Sequence, residues 1–321
     1  MARTRTQTSG RAQASPAQIW AALWAVYIIW GTTYLAIRVA NETLPPLIAA
    51  GIRFVIAGGA LYAWSVRRGD VEGDRPTRAN WKAATIVGVG LVAGGNGLVV
   101  LAEVTVPSSI MALIIALVPL WMALIDRVVL GHEVRWATTV GLLLGFSGIA
   151  LLIGGAAIDA SVPLSGLLIG VLASLSWTSA SLYSRNAPLP RRPLVGAGME
   201  MLIGGAVLIV AGALRGELAS IDPAAFSSES LLALLYLIVI GSWVGFTSYV
   251  WLLRNARTSL VSTYAYVNPI VAVTLGWLVL DETITARILF AAAVTIAGVA
   301  IIISSGGTSR GAEPVVEAEV V

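Results

Sequence analysis

The sequence predicts an all-α polytopic membrane protein, with ten transmembrane helices arranged as two inverted five-helix repeats. Three observations predict it. Of 321 residues, 57% are hydrophobic and only 12% charged. An ordinary soluble domain carries roughly 25% charged residues, so the apolar excess here must face lipid. The apolar residues fall into ten stretches separated by short polar connections. Finally, the second half of the chain repeats the first.

In order, the stretches are 18–37, 45–66, 82–102, 107–125 and 136–155, then 166–184, 194–214, 230–252, 260–280 and 286–304. Each is near the ~20 residues that a helix needs to cross the hydrocarbon core. Only helices and closed barrels satisfy backbone groups in lipid, and these runs are too long for barrel strands. The polar, basic residues 1–17 followed by an apolar run resemble a signal peptide. However, 18–37 is long enough to span and has a repeat partner, so it reads as the first span. The expected organisation is a cytoplasmic tail at 1–17, a first repeat at 18–155, an extracytoplasmic linker at 156–165, a second repeat at 166–304 and a cytoplasmic tail at 305–321.

Charge placement orients the chain. With the N-terminus in the cytoplasm, 16 of the 20 Lys and Arg residues fall in inner segments and three (Arg38, Arg215 and Arg287) fall outside. The twentieth, Arg53, lies within a span. This is the positive-inside pattern, and an error of one span would scramble it. Both termini are therefore expected in the cytoplasm, with the chain embedded in the cytoplasmic (inner) membrane.

The repeat is visible by self-comparison. Ala50–Gly58 matches Ala197–Gly205 at an offset of 147, where Trp30 also falls on Trp177 and Arg38 on Arg185. Pro119 falls on Pro269 and Gly148–Ala150 on Gly298–Ala300 at an offset of 150. Five spans per half is an odd number, so the halves must insert with opposite orientation. That is the architecture of secondary transporters, where rocking of one half against the other gives alternating access.

The chain resembles the EamA branch of the drug/metabolite transporter superfamily over roughly residues 20–304. The residues that carry the resemblance are Tyr27-Ile28-Ile29-Trp30-Gly31-Thr32-Thr33-Tyr34, Pro45-Pro46 with Ala50-Gly51-Ile52-Arg53-Phe54, Gly95-Asn96-Gly97, and Ser262-Thr263-Tyr264-Ala265-Tyr266-Val267-Asn268-Pro269. The resemblance implies ten helices in two EamA repeats and export of small metabolites or toxic compounds. One departure is that Glu133 follows His132 where the second half has Asp281-Glu282.

Several residues are candidates for transport. Arg53 and Glu200 are repeat equivalents deep in their spans, where an ionisable group is costly and marks a substrate or proton site, or else a structural pair. Their i±4 neighbours are small: Ala49 and Ala57 for Arg53, Gly196 and Gly204 for Glu200. Trp30, Tyr34 and Trp177 offer rings to an amphipathic solute, with ordinary packing as the alternative. Tyr264 and Asn268 share a helix face, whereas their equivalents are Ile114 and Val118. Asn96, among glycines, is a further amide at depth that needs a partner. Pro119 and Pro269 interrupt the fourth and ninth spans and are candidate hinges, freeing the carbonyls of Ile115 and Ala265. Glu103, Asp281 and Glu282 read as loop or rim charges near the outer surface. Gly141, Gly145 and Gly148 read as helix packing.

Other chemistries are excluded. With no cysteine and a single histidine (His132, in a cytoplasmic loop), thiolate metal sites, disulfides and histidine relays are absent. No G-x-x-x-x-G-K-[ST] loop is present, so transport must run on an ion gradient, exchange or substrate concentration. Glu200, the acidic residue deepest in a span, is the candidate for proton coupling. An intramembrane enzyme would need a catalytic set at depth, and none is spaced for it; a non-transporting scaffold would need no repeated polar interior. The expected partners are a small-molecule substrate, the lipid bilayer and protons, with no cofactor, no metal and no nucleic acid. A homodimer is compatible with the sequence. The substrate reads as amino-acid-like, because Arg53 and Glu200 would suit a zwitterion; a sugar or sugar nucleotide is the alternative.

Overall fold

In the computed structural model, residues 14–68, 75–129, 136–158, 162–256, 258–261 and 263–306 are described. The expected loop at His132 and Glu133 and most of both tails lie outside them. Among the described residues every regular element is helical. The helices are α1 (Pro16–Ala40), α2 (Pro46–Arg67), α3 (Arg78–Ala102), α4 (Ser108–Ile115), α5 (Val118–Val128), α6 (Trp136–Ile158), α7 (Leu164–Ser184) and α8 (Pro193–Leu214). They continue with α9 (Ser228–Asn255), α10 (Thr258–Val261), α11 (Tyr264–Leu280) and α12 (Ala286–Gly306).

Local chemistry sets the helix starts. Ser15 and Gln18 form a capping box, with Ser15 Oγ accepting from Gln18 N (3.3 Å) and Gln18 Oε1 from Ser15 N (2.9 Å). Thr77 and Asn80 do the same for α3. Prolines stand in the first turns of α1, α2 and α8, where no helical N–H bond is lost.

Among the described residues, eight helices are long and apolar enough to cross a membrane. Among the described residues, the expected fifth and ninth spans are shorter apolar stretches, Trp136–Leu152 and Val267–Leu280. The helix of the ninth, α11, runs over 17 residues from Tyr264. The fourth span changes its hydrogen-bond pattern at the proline. Ala116 and Leu117 keep right-handed helical dihedrals, Leu117 N bonds Ile114 O (3.0 Å), and Pro119 sits in the first turn of α5. Pro269, by contrast, lies inside the continuous helix α11. The two prolines are repeat equivalents in sequence but not in geometry.

Equivalent helices of the two halves pack against each other, running antiparallel. On α2 and α8 the contact runs through the matched stretches themselves. A Cβ on Gly58 would stand 2.6 Å from Met201 Cβ, and one on Gly205 would stand 2.8 Å from the Gly51 carbonyl oxygen. On α6 and α12, a Cβ on Gly298 would meet Gly145 N at 2.5 Å, and one on Gly148 would meet Ala291 O at 2.9 Å. The glycines at 141, 145 and 148 are packing residues, as the sequence suggests.

Polar contacts close both ends of the bundle. At the end assigned to the outer side, Glu217 accepts from the Leu47 and Ile48 amides (3.0 Å each), Ser230 Oγ donates to Val39 O (2.7 Å) and Asn41 Nδ2 to Val100 O (2.9 Å). At the other end, the Tyr27 and Thr263 hydroxyls bond each other, Asn80 Nδ2 donates to Pro188 O (2.7 Å) and Arg192 donates to Ser65 O.

The seam predicts a contrast between neighbouring glycines. Gly58→Ala should destabilise the protein by about 1–3 kcal/mol through overpacking. Gly59→Ala, where the nearest atom would be 3.6 Å away, should be neutral or mildly stabilising, since Ala is the better helix former by ~1 kcal/mol. Thermal unfolding in detergent reads both.

Candidate transport site

A cavity of about 100 Å³ lies between the halves. Its walls include Trp30, Tyr34, Arg53 and Asn96 from the first half and Trp177, Tyr264, Asn268 and Pro269 from the second. Thus most of the residues singled out from the sequence converge on one space. Glu200 does not line it. Its backbone packs on α3, where a Cβ on Gly88 would be 2.5 Å from the Glu200 carbonyl oxygen, and its side chain stays buried off the cavity. The expected Arg53–Glu200 pair is replaced by a different partner: Arg53 Nε donates to Ser242 Oγ at 2.8 Å.

The backbone that presents these groups is unusual. Val89–Gly97 within α3 and Leu237–Val244 within α9 are π-helical. They are repeat equivalents at an offset of 148. Wide turns of this kind are rare and re-aim the side chains that follow. The first delivers Gly95 and Asn96 to the cavity, with Asn96 Nδ2 donating to Leu91 O (3.3 Å). The second delivers Gly241 and Ser242. A Cβ on Gly241 would stand 3.4 Å from an Arg53 Nη atom, so the missing side chain leaves room for the guanidinium.

Arg53 is buried, with its guanidinium carbon 4.6 Å from the Phe54 ring centroid. Its Nη1 has no hydrogen-bond partner among the described residues. A buried donor on a charged group without a partner is costly, and this one belongs to a cavity-lining side chain.

The cavity's apolar wall is a ring cluster. Trp30 lies 4.9 Å from Tyr249, 5.3 Å from Tyr264 and 6.3 Å from Phe246 between centroids. The Asn268 amide, oriented to satisfy its bonds, donates to the carbonyls of Tyr27 (3.1 Å) and Tyr264 (3.3 Å). Of the first-half equivalents of Tyr264 and Asn268, Val118 lines the cavity and Ile114 is buried outside it, so the polar lining is unequal. Ser242, Phe246 and the two π stretches carry no mark in the sequence reading.

The acidic residues at the end expected to face outward differ from their reading as loop or rim charges. Asp281 is exposed and ends α11 at φ 52°. Glu282 is not a free rim charge: it caps α4, accepting from Ser108 N (2.7 Å), Ser108 Oγ (2.8 Å) and Ser109 N (3.1 Å). Glu103 is completely buried. Arg38 draws its turn inward by donating to the carbonyls of Glu103 (2.6 Å) and Val104 (3.1 Å). Burial pushes the Glu103 carboxyl well above the usual carboxylate range, Glu282 adds to the push, and Arg38 and Arg53 oppose it.

The model of the EamA-like transporter family matches residues 17–154 and again 164–304. The chain is 39% identical over 268 residues to the uncharacterized inner membrane transporter YedA of Escherichia coli, covering 83% of this chain and 84% of that one. It is 24% identical to the uncharacterized transporter YoaV of Bacillus subtilis (86% and 93% covered). It is 22% identical to a probable amino-acid metabolite efflux pump of Salmonella typhimurium (85% and 90% covered). A crystal structure of a protein 20% identical covers 92% of this chain and 100% of its own with a TM-score of 0.63, a likeness of fold. The family and the names of these relatives indicate a transporter rather than an enzyme.

Replacing Trp30 tests the ring cluster. Trp30→Ala should cost about 2 kcal/mol of stability, below the ~3–5 kcal/mol of a fully buried Trp because the ring is half-buried on the cavity wall, while Trp30→Phe, which keeps a ring in place, should retain most of it; denaturation in detergent distinguishes the two.

Proposed function

The chain belongs to the EamA-like transporter family of the drug/metabolite transporter superfamily, and from that premise we propose that it exports small amino-acid-like metabolites or drugs across the cytoplasmic membrane by alternating access. In this reading all ten apolar stretches span the membrane, the two halves are inverted repeats and both termini are cytoplasmic. The antiparallel packing of equivalent helices and the charge bias support it.

The observation that carries the substrate reading is the unpartnered Nη1 of Arg53 in an aromatic-walled cavity. A carboxylate would supply the missing acceptor in a charge-assisted bond. The substrate's apolar part would meet Trp30, Phe54 and Phe246. An ammonium group, where there is one, would meet hydroxyl and amide oxygens and the Trp30 face. Because Glu200 stands off the cavity, the charge selection falls on the anionic group.

The cavity's size supports alternation. Pockets for drug-sized ligands hold roughly 300–1,000 Å³, so at about 100 Å³ this one must expand to admit a metabolite, and the halves that form it must part. Thr33, Tyr34 and Arg53 from one half and Ser242, Tyr264 and Asn268 from the other would then separate and rejoin with each cycle. The relative named as an amino-acid metabolite efflux pump favours the amino-acid class over sugars.

Two assays test this. Overexpression should raise resistance to toxic amino-acid analogues. Inverted vesicles should accumulate labelled amino acids in preference to sugars. Arg53→Gln should weaken affinity for a carboxylate-bearing substrate by roughly tenfold to a hundredfold, the worth of a hydrogen bond to a charged group at ~1.5–3 kcal/mol. Ser242→Ala should have a smaller effect in the same direction. Equal handling of carboxylate and amide forms of one substrate would sink the anion reading.

A further inference from the structure

We propose that Glu103 is a proton-binding site that gates the outer end of the bundle, holding its carboxyl protonated while that end is closed and yielding the proton to outside water when it opens. This presupposes the alternating access proposed above. The geometry carries it. Glu103 has no exposed surface, and neither Oε1 nor Oε2 has a hydrogen-bond partner among the described residues. An ionised carboxylate in that position would be a buried charge with no donor, which proteins avoid by neutralising the group.

The surrounding charges do not rescue it. Arg38, on α1, spends its contacts on the backbone carbonyls of Glu103 and Val104 rather than on the carboxylate. Arg53, on α2, is turned to Ser242. Tyr34, on α1, also lies within electrostatic reach. Glu282, arriving from α11, is itself a carboxylate and is engaged on α4. On the remaining side α7 packs Gly166 on Thr105 and Val106, and its one titratable side chain, Tyr183, lies at the opposite end of the helix.

The site is also placed to act on closure. Glu103 ends α3, the helix whose π stretch lines the cavity, and its turn is held by Arg38 where α1 meets the outer end. If that end parts, water reaches the carboxyl, the O–H proton passes to a water molecule and the carboxylate remains, hydrated and near Arg38. Reclosure requires a proton from outside. The protonated form thus favours the closed end, so closure is strongest at low pH and is lost as pH rises.

The chain has no cysteine, so a single Thr33→Cys in the cavity reports access. Full-length protein is labelled with a membrane-impermeant maleimide in right-side-out and inverted vesicles. The readout is the ratio of outer to inner labelling, which cancels titration of the thiol itself. The expected result is a ratio that rises with pH, by up to about tenfold per unit for one linked proton. With Glu103→Gln added, the ratio stays low and flat; with Glu103→Asp, the response returns at a displaced midpoint. An unchanged pH response in Glu103→Gln, or labelling from both sides with no pH response in the parent, overturns the gate and leaves alternating access standing. Labelling from one side only at every pH overturns both. As a check on folding, Glu103→Gln should keep the parent's melting temperature at neutral pH, because the amide mimics the neutral acid. A clear drop would mean that the fold holds an ionised carboxylate, which also overturns the proposal.

Discussion

Close approach of backbones across two glycine seams is the constraint on which the rest of the structure depends. In lipid, apolar side chains gain little by meeting one another, so helices associate through tight packing and interhelical hydrogen bonds. Here α2 meets α8 and α6 meets α12 at distances that leave no space for a Cβ at Gly51, Gly58, Gly205 or Gly298. Because each seam joins equivalent helices, it fixes the two halves face to face. The cavity is what remains between the seams.

That frame explains how a charge is tolerated at depth. The guanidinium of Arg53 would be expelled from hydrocarbon, but between the halves it finds Ser242 from the opposite repeat and the opening left by Gly241. Both come from the π stretch of α9. The matching stretch of α3 instead brings Gly95 and Asn96. The backbone device is the same in the two halves, but the chemistry it presents differs, and a site that must hold an asymmetric solute needs that difference. Tyr264 and Asn268, whose first-half equivalents are Ile114 and Val118, extend the inequality along the wall.

Much of this was legible in the sequence, for identifiable reasons. Spans follow from runs of apolar residues, and the repeat follows from matched glycines, prolines and tryptophans, so α1 to α12 fall close to the expected stretches. Polar and aromatic residues at membrane depth are conspicuous, and seven of the eight expected transport residues, Trp30 to Asn268, meet in one cavity. The exception is Glu200. Sequence equivalence fixes its backbone position beside Gly88 but not the direction of its side chain. Pro119 and Pro269 differ for a related reason. How the backbone answers a proline depends on which bonds the preceding turn can make, and before Pro119 the turn tightens, Leu117 N bonding Ile114 O. The π stretches leave no periodic trace, because a hydrogen-bond register one residue wider does not change which residues are apolar. Glu103 misleads by position: at the end of a span it reads as solvated, and only the contact of Arg38 with its backbone shows that its turn is folded inward.

The end expected to face outward is held by bonds of a kind that the proposed alternating access could exchange. Two helices of the first half have their N-terminal amides satisfied by carboxylates of the second, α2 by Glu217 and α4 by Glu282. A carboxylate at a helix N-terminus gains from both the free N–H groups and the helix dipole. Yet these bonds form where water can replace them, so parting the end exchanges partners rather than leaving groups unsatisfied. The glycine seams have no such substitute, because lipid offers neither hydrogen bonds nor an equivalent fit. Under the proposed alternating access, motion is therefore easiest at the capped end and hardest along the seams, with the halves pivoting about α2–α8 and α6–α12. Glu103 departs from the pattern of its acidic neighbours: it is buried as they are not, and it caps nothing.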